Sequence, residues 1–186
     1  MKRLTRLLPL VLSLAAAGCA NDIAPPSSTA TTAPYVYHLG PDDKLRIAVY
    51  GEDPMAGEYL VNAEGSVSFP LVGMIKASGL TLSEFSTALS AALAEKFLKD
   101  PRVVVDVVEY RPIYVLGEVN KAGQYPYRSG MTVLGAVATA GGFTYRANAK
   151  VAMVRHPDES GESRHPLTAD LPVYPGDTIR IRERYF

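Results

Sequence analysis

The chain contains one cysteine, no tryptophan and three histidines among its 186 residues. A single cysteine allows neither a disulfide nor a cysteine-based zinc site within one chain. The histidines, His38, His156 and His165, are not at a metal-ligand spacing such as His-x-x-x-His. The sequence also has no Gly-x-Ser-x-Gly elbow, phosphate-binding loop or dinucleotide fingerprint. These absences predict a protein that is not an enzyme and that takes no cofactor or metal.

Long hydrophobic runs are scarce as well. The main apolar run, residues 7–14, is shorter than the roughly 20 residues that a membrane-spanning helix needs. It follows three basic side chains and precedes Ala-Ala-Ala-Gly-Cys, which is the layout of a secretory signal peptide. Removal of residues 1–18 leaves 16 basic and 19 acidic side chains, a net charge of −3. That balance argues against nucleic-acid binding, which requires a basic surface.

The sequence around Cys19 resembles a lipobox, in which small residues precede a cysteine that accepts a diacylglyceryl group. Ala16 stands where the lipobox favours leucine. The alternative is an ordinary secretory signal cut near Ala17, with Cys19 as an incidental thiol. Ala20 occupies the position where aspartate would commonly retain a lipoprotein in the inner membrane. We therefore expect lipidation at Cys19 and anchoring in the outer membrane, with the body facing the periplasm.

Residues 19–34 are poor in large apolar side chains and rich in proline, serine and threonine. This composition predicts a disordered tether, with an average reach of about 20 Å. Ordered structure is expected to begin at residue 35.

Two blocks of mixed secondary structure follow the tether. In the first, a helix is predicted over residues 82–99, because Thr81 and Glu84 form a capping box and apolar side chains, Phe97 among them, recur at helical spacing. Strands are predicted at residues 44–50, 59–61, 66–69, 72–75 and 102–108.

The second block begins near Pro112. A short helix is predicted over residues 131–140 with Thr132 as its cap, and a polar hairpin loop over residues 157–163. Strands are predicted at residues 113–119, 124–127, 151–155 and 178–182. No long internal repeat is evident. The whole predicts an α+β fold, with a mixed α/β domain at residues 35–111 followed by a second domain at residues 112–186.

The motifs of both blocks resemble those of a known family. Residues 37–45 resemble the opening Y-x-L-G-P-G-D-x-L of the polysaccharide biosynthesis/export family, except that Asp42 stands where many members have glycine. Residues 61–73 resemble the family's V-x-x-D-G-x-I-x-x-P-x-x-G. Residues 115–143 and 173–179 resemble the soluble-ligand-binding β-grasp (SLBB) domain that follows in this family.

The resemblance implies a lipid-anchored outer-membrane protein whose copies form a ring for export of exopolysaccharide or capsular polysaccharide. The partners it implies are further copies of the chain, an inner-membrane polysaccharide co-polymerase of the chain-length/tyrosine-kinase type, the polymer, and a separate outer-membrane barrel. Long members carry further β-grasp repeats and a C-terminal amphipathic helix, whereas the last residues here, 182–186, begin at the end of a predicted strand. We therefore expect a short member without that helix.

Two other functions remain open at this point. One is a periplasmic carbohydrate-binding or scaffold lipoprotein that forms no channel. The other is a glycan hydrolase that uses the neighbouring acids Glu52, Asp53 and Glu58.

The remaining motif residues are expected to build turns and not to touch sugar. Glycine permits positive φ, proline presets turn geometry and aspartate accepts hydrogen bonds from turn amides. The residues concerned are Gly40, Pro41, Asp43, Gly65, Pro70, Gly73, Gly117, Gly141, Gly142, Pro175, Gly176 and Asp177.

Overall fold

The computed structural model describes residues 35–184. The signal peptide, the tether and Cys19 predicted from the sequence lie outside the described residues. Ten strands and two α-helices follow one another in the described part, and a short 3₁₀ helix spans Asp53–Met55. The elements are β1 (Lys44–Val49), β2 (Gly57–Leu60), β3 (Ser66–Phe69), β4 (Gly73–Lys76), α1 (Leu82–Lys96), β5 (Val103–Glu109), β6 (Ile113–Gly117), β7 (Gly123–Tyr125), α2 (Val133–Thr139), β8 (Ala147–Arg155), β9 (Ser163–Pro166) and β10 (Thr178–Glu183). The predicted α+β class is confirmed.

The N-terminal sheet is antiparallel, with strand order β2-β1-β5. Alternation along β1 buries Leu45, Ile47 and Val49 on one face, as its sequence pattern predicts. These side chains form a core with three fully buried residues of α1, namely Phe85, Leu89 and Leu93. The β3–β4 hairpin is a separate two-stranded sheet that contributes Val67 and Phe69 to the same core.

Helix α1 begins as predicted and ends earlier. The Thr81 hydroxyl accepts a hydrogen bond from the Glu84 amide, and the Glu84 carboxylate accepts one from the Thr81 amide, so the capping box is confirmed. The predicted end at residue 99 is wrong, because the helix stops at Lys96 and Phe97 is its C-cap. Phe97 was also expected on the buried face, but it is 43% exposed, because its non-helical backbone takes it out of the register of that face.

The C-terminal sheet has five strands in the order β7-β6-β10-β8-β9. Strand β10 is parallel to β6 and antiparallel to β8. Helix α2 covers one face of this sheet and is capped by the Thr132 hydroxyl, which accepts a hydrogen bond from the Gly135 amide. The polar hairpin loop was predicted, whereas β9 was not, because its sequence Ser-Arg-His-Pro has no apolar alternation.

The two sheets have separate hydrophobic cores. The buried residues of the first core lie within residues 39–93 of the sequence, and those of the second lie within residues 113–181. Strand β5 ends at Glu109 and β6 begins at Ile113, so residues 110–112 connect them. Within the described part of the chain, neither helix has the length and hydropathy to cross a bilayer.

Candidate functional site at the junction of the two sheets

A fully buried carboxylate lies directly before β1. The amide of Gly40 donates a hydrogen bond of 2.8 Å to Oδ2 of Asp43, and the amide of Arg111 donates one of 2.9 Å to Oδ1. The Tyr37 hydroxyl also donates to Oδ2. A carboxylate is stable in the interior only when such donors replace water. Asp43 therefore ties the start of β1 to the connector between the two sheets.

A second buried carboxylate, Asp177, lies directly before β10. The Tyr174 amide donates a hydrogen bond of 2.8 Å to Oδ2, and Nδ1 of His156 lies 2.6 Å from Oδ1. Burial raises the pKa of Asp177, and the hydrogen bonds from Tyr174 and His156 oppose that rise. Its local geometry repeats that of Asp43.

The repeat is a turn of four residues that ends in aspartate. In each case the aspartate amide donates to the carbonyl three residues earlier, at 3.2 Å to Gly40 and 3.1 Å to Tyr174, and the carboxylate accepts from that residue's amide. This short repeat was not predicted from the sequence. Its signal is Asp-Lys-Leu-Arg-Ile at residues 43–47 against Asp-Thr-Ile-Arg-Ile at residues 177–181.

Arg111 connects the two turns. Its amide bonds Asp43, while its Nε donates a hydrogen bond of 3.0 Å to the carbonyl oxygen of Pro175. The guanidinium lies against two glycines, since a Cβ built at Gly40 would be 1.7 Å from Nη1 and one at Gly176 would be 2.9 Å from Nε. We call Asp43, Arg111, Pro175 and these two glycines the arginine joint. The joint holds the start of β1 against the turn before β10.

Three tyrosines pack edge to face beside the arginine joint. The ring centroids of Tyr37 and Tyr110 are 5.1 Å apart, and those of Tyr110 and Tyr127 are 5.4 Å apart. The Arg111 guanidinium carbon lies 5.7 Å from the Tyr37 ring centroid. Burial raises the pKa of Tyr127 above its usual range. The row therefore fixes the ring of Tyr110 from both sides.

A groove of about 630 Å³ lies beside this row, between the N-terminal sheet and the β6–β7 hairpin. We call it the junction groove. Its lining comes from β1, β2 and the end of β5, from the connector, and from β7. The lining residues are Asp42, Lys44, Leu60, Glu109, Tyr110, Pro112, Gln124, Tyr125 and Pro126.

Both the N-terminal and the C-terminal parts of the chain match known protein families. The model of the polysaccharide biosynthesis/export protein matches residues 31–108, and the SLBB domain model matches residues 112–165. The chain contains a polysaccharide biosynthesis/export domain followed by an SLBB domain. The two matches meet at the connector that carries Arg111.

Curated relatives have names that agree with the family. The chain is 37% identical over 139 residues to the exopolysaccharide production protein ExoF of Rhizobium meliloti (strain 1021), covering 68% of this chain and 33% of that protein. It is 32% identical over 149 residues to the EPS I polysaccharide export outer membrane protein EpsA of Ralstonia nicotianae (strain ATCC BAA-1114 / GMI1000), covering 74% of this chain and 39% of that protein. The polysialic acid transport protein KpsD of Escherichia coli is 25% identical over 91 residues, which are 48% of this chain and 16% of that protein. The chain therefore spans between about a sixth and two fifths of these relatives.

The departure from the family pattern at Asp42 has a structural explanation. Asp42 has a φ of 70°, in the left-handed region that glycine occupies without strain. Aspartate is one of the few other residues that visit this region readily. Asp42 therefore adopts a backbone conformation that glycine would also favour at this position.

Gly117 is the motif glycine with the closest approach to another strand. Its φ is 84°, and a Cβ there would lie 2.1 Å from the carbonyl oxygen of Ile181 in β10. Five other motif glycines at turns also have positive φ: Gly65, Gly73, Gly141, Gly142 and Gly176. Pro70 is exposed in the turn between β3 and β4, and Pro41 lies beside the arginine joint.

The acids considered for hydrolysis do not form an enclosed pair. Glu58 lies on the exposed side of β2, where its carboxylate is 3.9 Å from the Lys44 ammonium and 3.5 Å from the Arg46 guanidinium. Asp53 is exposed in the 3₁₀ helix, and Glu52 precedes it. Across residues 35–184, no group of three or more histidine, cysteine, aspartate or glutamate side chains is placed to hold a metal ion.

Proposed function

We propose that this protein is a lipid-anchored outer-membrane component of a polysaccharide exporter, with its folded body in the periplasm. The observation that carries the proposal is the succession of an export domain and an SLBB domain, joined through Arg111, in one chain. Relatives named for exopolysaccharide production, polysaccharide export and polysialic acid transport support it. The cargo is an exopolysaccharide or a capsular polysaccharide, and the protein itself makes and breaks no bond in it.

The proposed organisation has four parts. A signal peptide at residues 1–18 directs secretion, and Cys19 carries the lipid. A tether at residues 19–34 leads to the export domain at residues 35–111, which is followed by the β-grasp domain at residues 112–186. One acyl chain binds a membrane only marginally, so a triacylated Cys19 repeated in several copies would anchor the assembly far more firmly.

The proposed assembly is a ring of identical copies. A ring closes when one heterologous interface repeats at a constant angle. The arginine joint supports such closure, because it keeps the N-terminal and C-terminal sheets of each copy in one relative orientation. A hydrophilic polymer would pass through a wide, wet lumen, and an inner-membrane co-polymerase would deliver it from below.

Deletion of the gene tests the proposal. We expect the deletion strain to lose its surface polysaccharide and a plasmid copy to restore it. A Cys19→Ser copy should be secreted but should restore little polymer, while native mass spectrometry of the purified wild-type protein should find closed oligomers. Undiminished surface polysaccharide in the deletion strain would overturn the proposed function. A monomer at high protein concentration would overturn the ring and favour the scaffold alternative.

A further inference from the structure

The junction groove combines the two kinds of surface that sugars bind. The rings of Tyr110 and Tyr125, with Pro112 and Pro126, supply flat apolar walls. Gln124 supplies an amide at the same site, together with the charged groups of Asp42, Lys44 and Glu109. A sugar ring has apolar C–H faces and a polar edge of hydroxyls. The groove offers both kinds of surface in comparable measure, whereas small-molecule sites in general combine apolar walls with a few placed polar groups.

The aromatic walls are held in position without a ligand. Tyr110 is fixed by its edge contacts with Tyr37 and Tyr127. The Tyr125 hydroxyl donates a hydrogen bond of 2.6 Å to the Lys121 carbonyl, and its backbone pairs with Ile113 in the β6–β7 hairpin. Binding would therefore cost little side-chain entropy, since rings already ordered have few rotamers to lose.

The charge of the lining selects against acidic sugars. Lys44 is the cation of the groove, and its ammonium lies 3.4 Å from the Glu109 carboxylate and 3.9 Å from that of Glu58. Its charge is thus balanced by neighbours, while Asp42 adds a further carboxylate. At physiological ionic strength, charges within about 8 Å still interact appreciably. An anionic sugar in the groove would meet net repulsion.

We propose that the junction groove binds a short, uncharged segment of a polysaccharide, with sugar rings against Tyr110 and Tyr125. A volume of about 630 Å³ lies in the range of sites for small molecules, and it accommodates roughly two or three sugar rings. That this segment belongs to exported polymer rests on the function proposed above. The groove would give each copy a neutral-sugar contact at the junction of its two domains.

The binding test uses the full-length lipidated protein in detergent with tyrosine rings labelled for NMR. The probes are three neutral tetrasaccharides, cellotetraose, laminaritetraose and mannotetraose, and the anionic tetragalacturonate. We expect at least one neutral probe to shift the Tyr110 and Tyr125 ring signals while tetragalacturonate does not. If none of the neutral probes shifts these signals, or if the anionic probe binds as tightly as the best neutral one, the proposal is wrong.

Matched tyrosine variants locate the site. Tyr125→Ala should weaken binding of the best neutral probe by about fivefold or more, because it removes one aromatic wall. Tyr145→Ala is the control, since Tyr145 is in the same half of the protein, is 83% exposed and does not line the groove. Equal affinities of the two variants would contradict the assignment. Ring signals of Tyr37 report whether the Tyr125→Ala variant retains its fold.

Charge variants test the selectivity. Asp42→Asn with Glu109→Gln should strengthen tetragalacturonate binding by about fivefold at low salt, and 0.5 M salt should abolish much of the gain. The control Glu159→Gln, at an exposed position in the β8–β9 loop, should leave the affinity for tetragalacturonate unchanged. No gain from the double variant would contradict the charge argument.

Native mass spectrometry and the deletion strain distinguish failure of the groove proposal from failure of the proposed export function. If Tyr125→Ala alters the oligomer size and leaves neutral-sugar binding intact, the groove is a contact between copies and the proposal fails. A protein that binds no neutral probe, while deletion still removes surface polymer, would refute the groove and leave the export function standing. If the protein binds a neutral probe but the deletion strain keeps normal surface polymer, only the proposed export function is refuted.

Discussion

Truncation of Asp43 is expected to destabilise the protein strongly, because three donors converge on its buried carboxylate. Asp43→Ala leaves the amides of Gly40 and Arg111 and the hydroxyl of Tyr37 without their acceptor. An unsatisfied buried donor costs about 1–3 kcal/mol. The hydroxyl can rotate towards water, whereas the two amides are fixed by the backbone. We therefore expect a loss of about 3–5 kcal/mol, a large part of the 5–15 kcal/mol that is typical of a folded domain.

Urea unfolding followed by tyrosine emission and far-UV circular dichroism measures this loss, and the absence of tryptophan leaves the tyrosine signal unobscured. Asp43→Asn keeps one acceptor oxygen, so its loss of free energy of unfolding should be about half that of Asp43→Ala. Asp106→Asn, at an exposed position of β5, is the control and should change the free energy of unfolding by less than about 0.5 kcal/mol. A loss below about 1 kcal/mol for Asp43→Ala would refute the role given to this carboxylate.

Three further predictions concern other parts of the fold. Gly117→Ala should lower the free energy of unfolding by about 3 kcal/mol, because alanine would be strained at this positive φ and would clash with the β10 backbone. Gly161→Ala, at an open position, is the control and should change the free energy of unfolding little. Similar losses for the two variants would refute the close approach of Gly117 to β10. Hydrogen bonds from Thr81 lower the pKa of Glu84 from 4.5, so its charge supports folding above that pH and the support is lost as the pH falls through the lowered pKa. The stability of Glu84→Gln measured against pH should be flatter in that acidic window, and an unchanged profile would contradict the prediction. Arg111→Met should retain the backbone bond to the buried carboxylate but speed proteolysis at residues 110–112, and an unchanged cleavage rate would show that the guanidinium does not hold the joint.

Local sequence patterns predicted the elements whose signals are contained within a few residues. Alternation located β1, and the capping box fixed the start of α1 at Leu82, because both depend on neighbours in the chain. The predicted end of α1 was too late, because apolar residues continue at helical spacing to Phe97 whereas the helical backbone ends at Lys96. Strand β9 was missed because it is recruited by pairing with β8 and has no pattern of its own.

The candidate site was less predictable, because its contacts join distant parts of the chain. Asp43 and Arg111 are 68 residues apart, and Arg111 meets Pro175 from 64 residues away. The aspartates were expected to bond turn amides, and each accepts one within its own turn. Nothing local in the sequence indicates that an arginine would join the two turns, or that Tyr110 and Tyr125 would line one groove.

The proposed role of this protein in polysaccharide export is tested most directly by the distribution of newly made polymer between cell compartments. Cells of the wild-type and deletion strains are pulse-labelled with a radioactive sugar precursor, and labelled polymer is measured in the cytoplasm, the periplasm and the surface fraction. We predict that the deletion strain continues to synthesise polymer, retains it inside the outer membrane and loses most of the surface fraction, with recovery on complementation. Labelled polymer that reaches the surface at the wild-type rate without the protein would contradict its role in export.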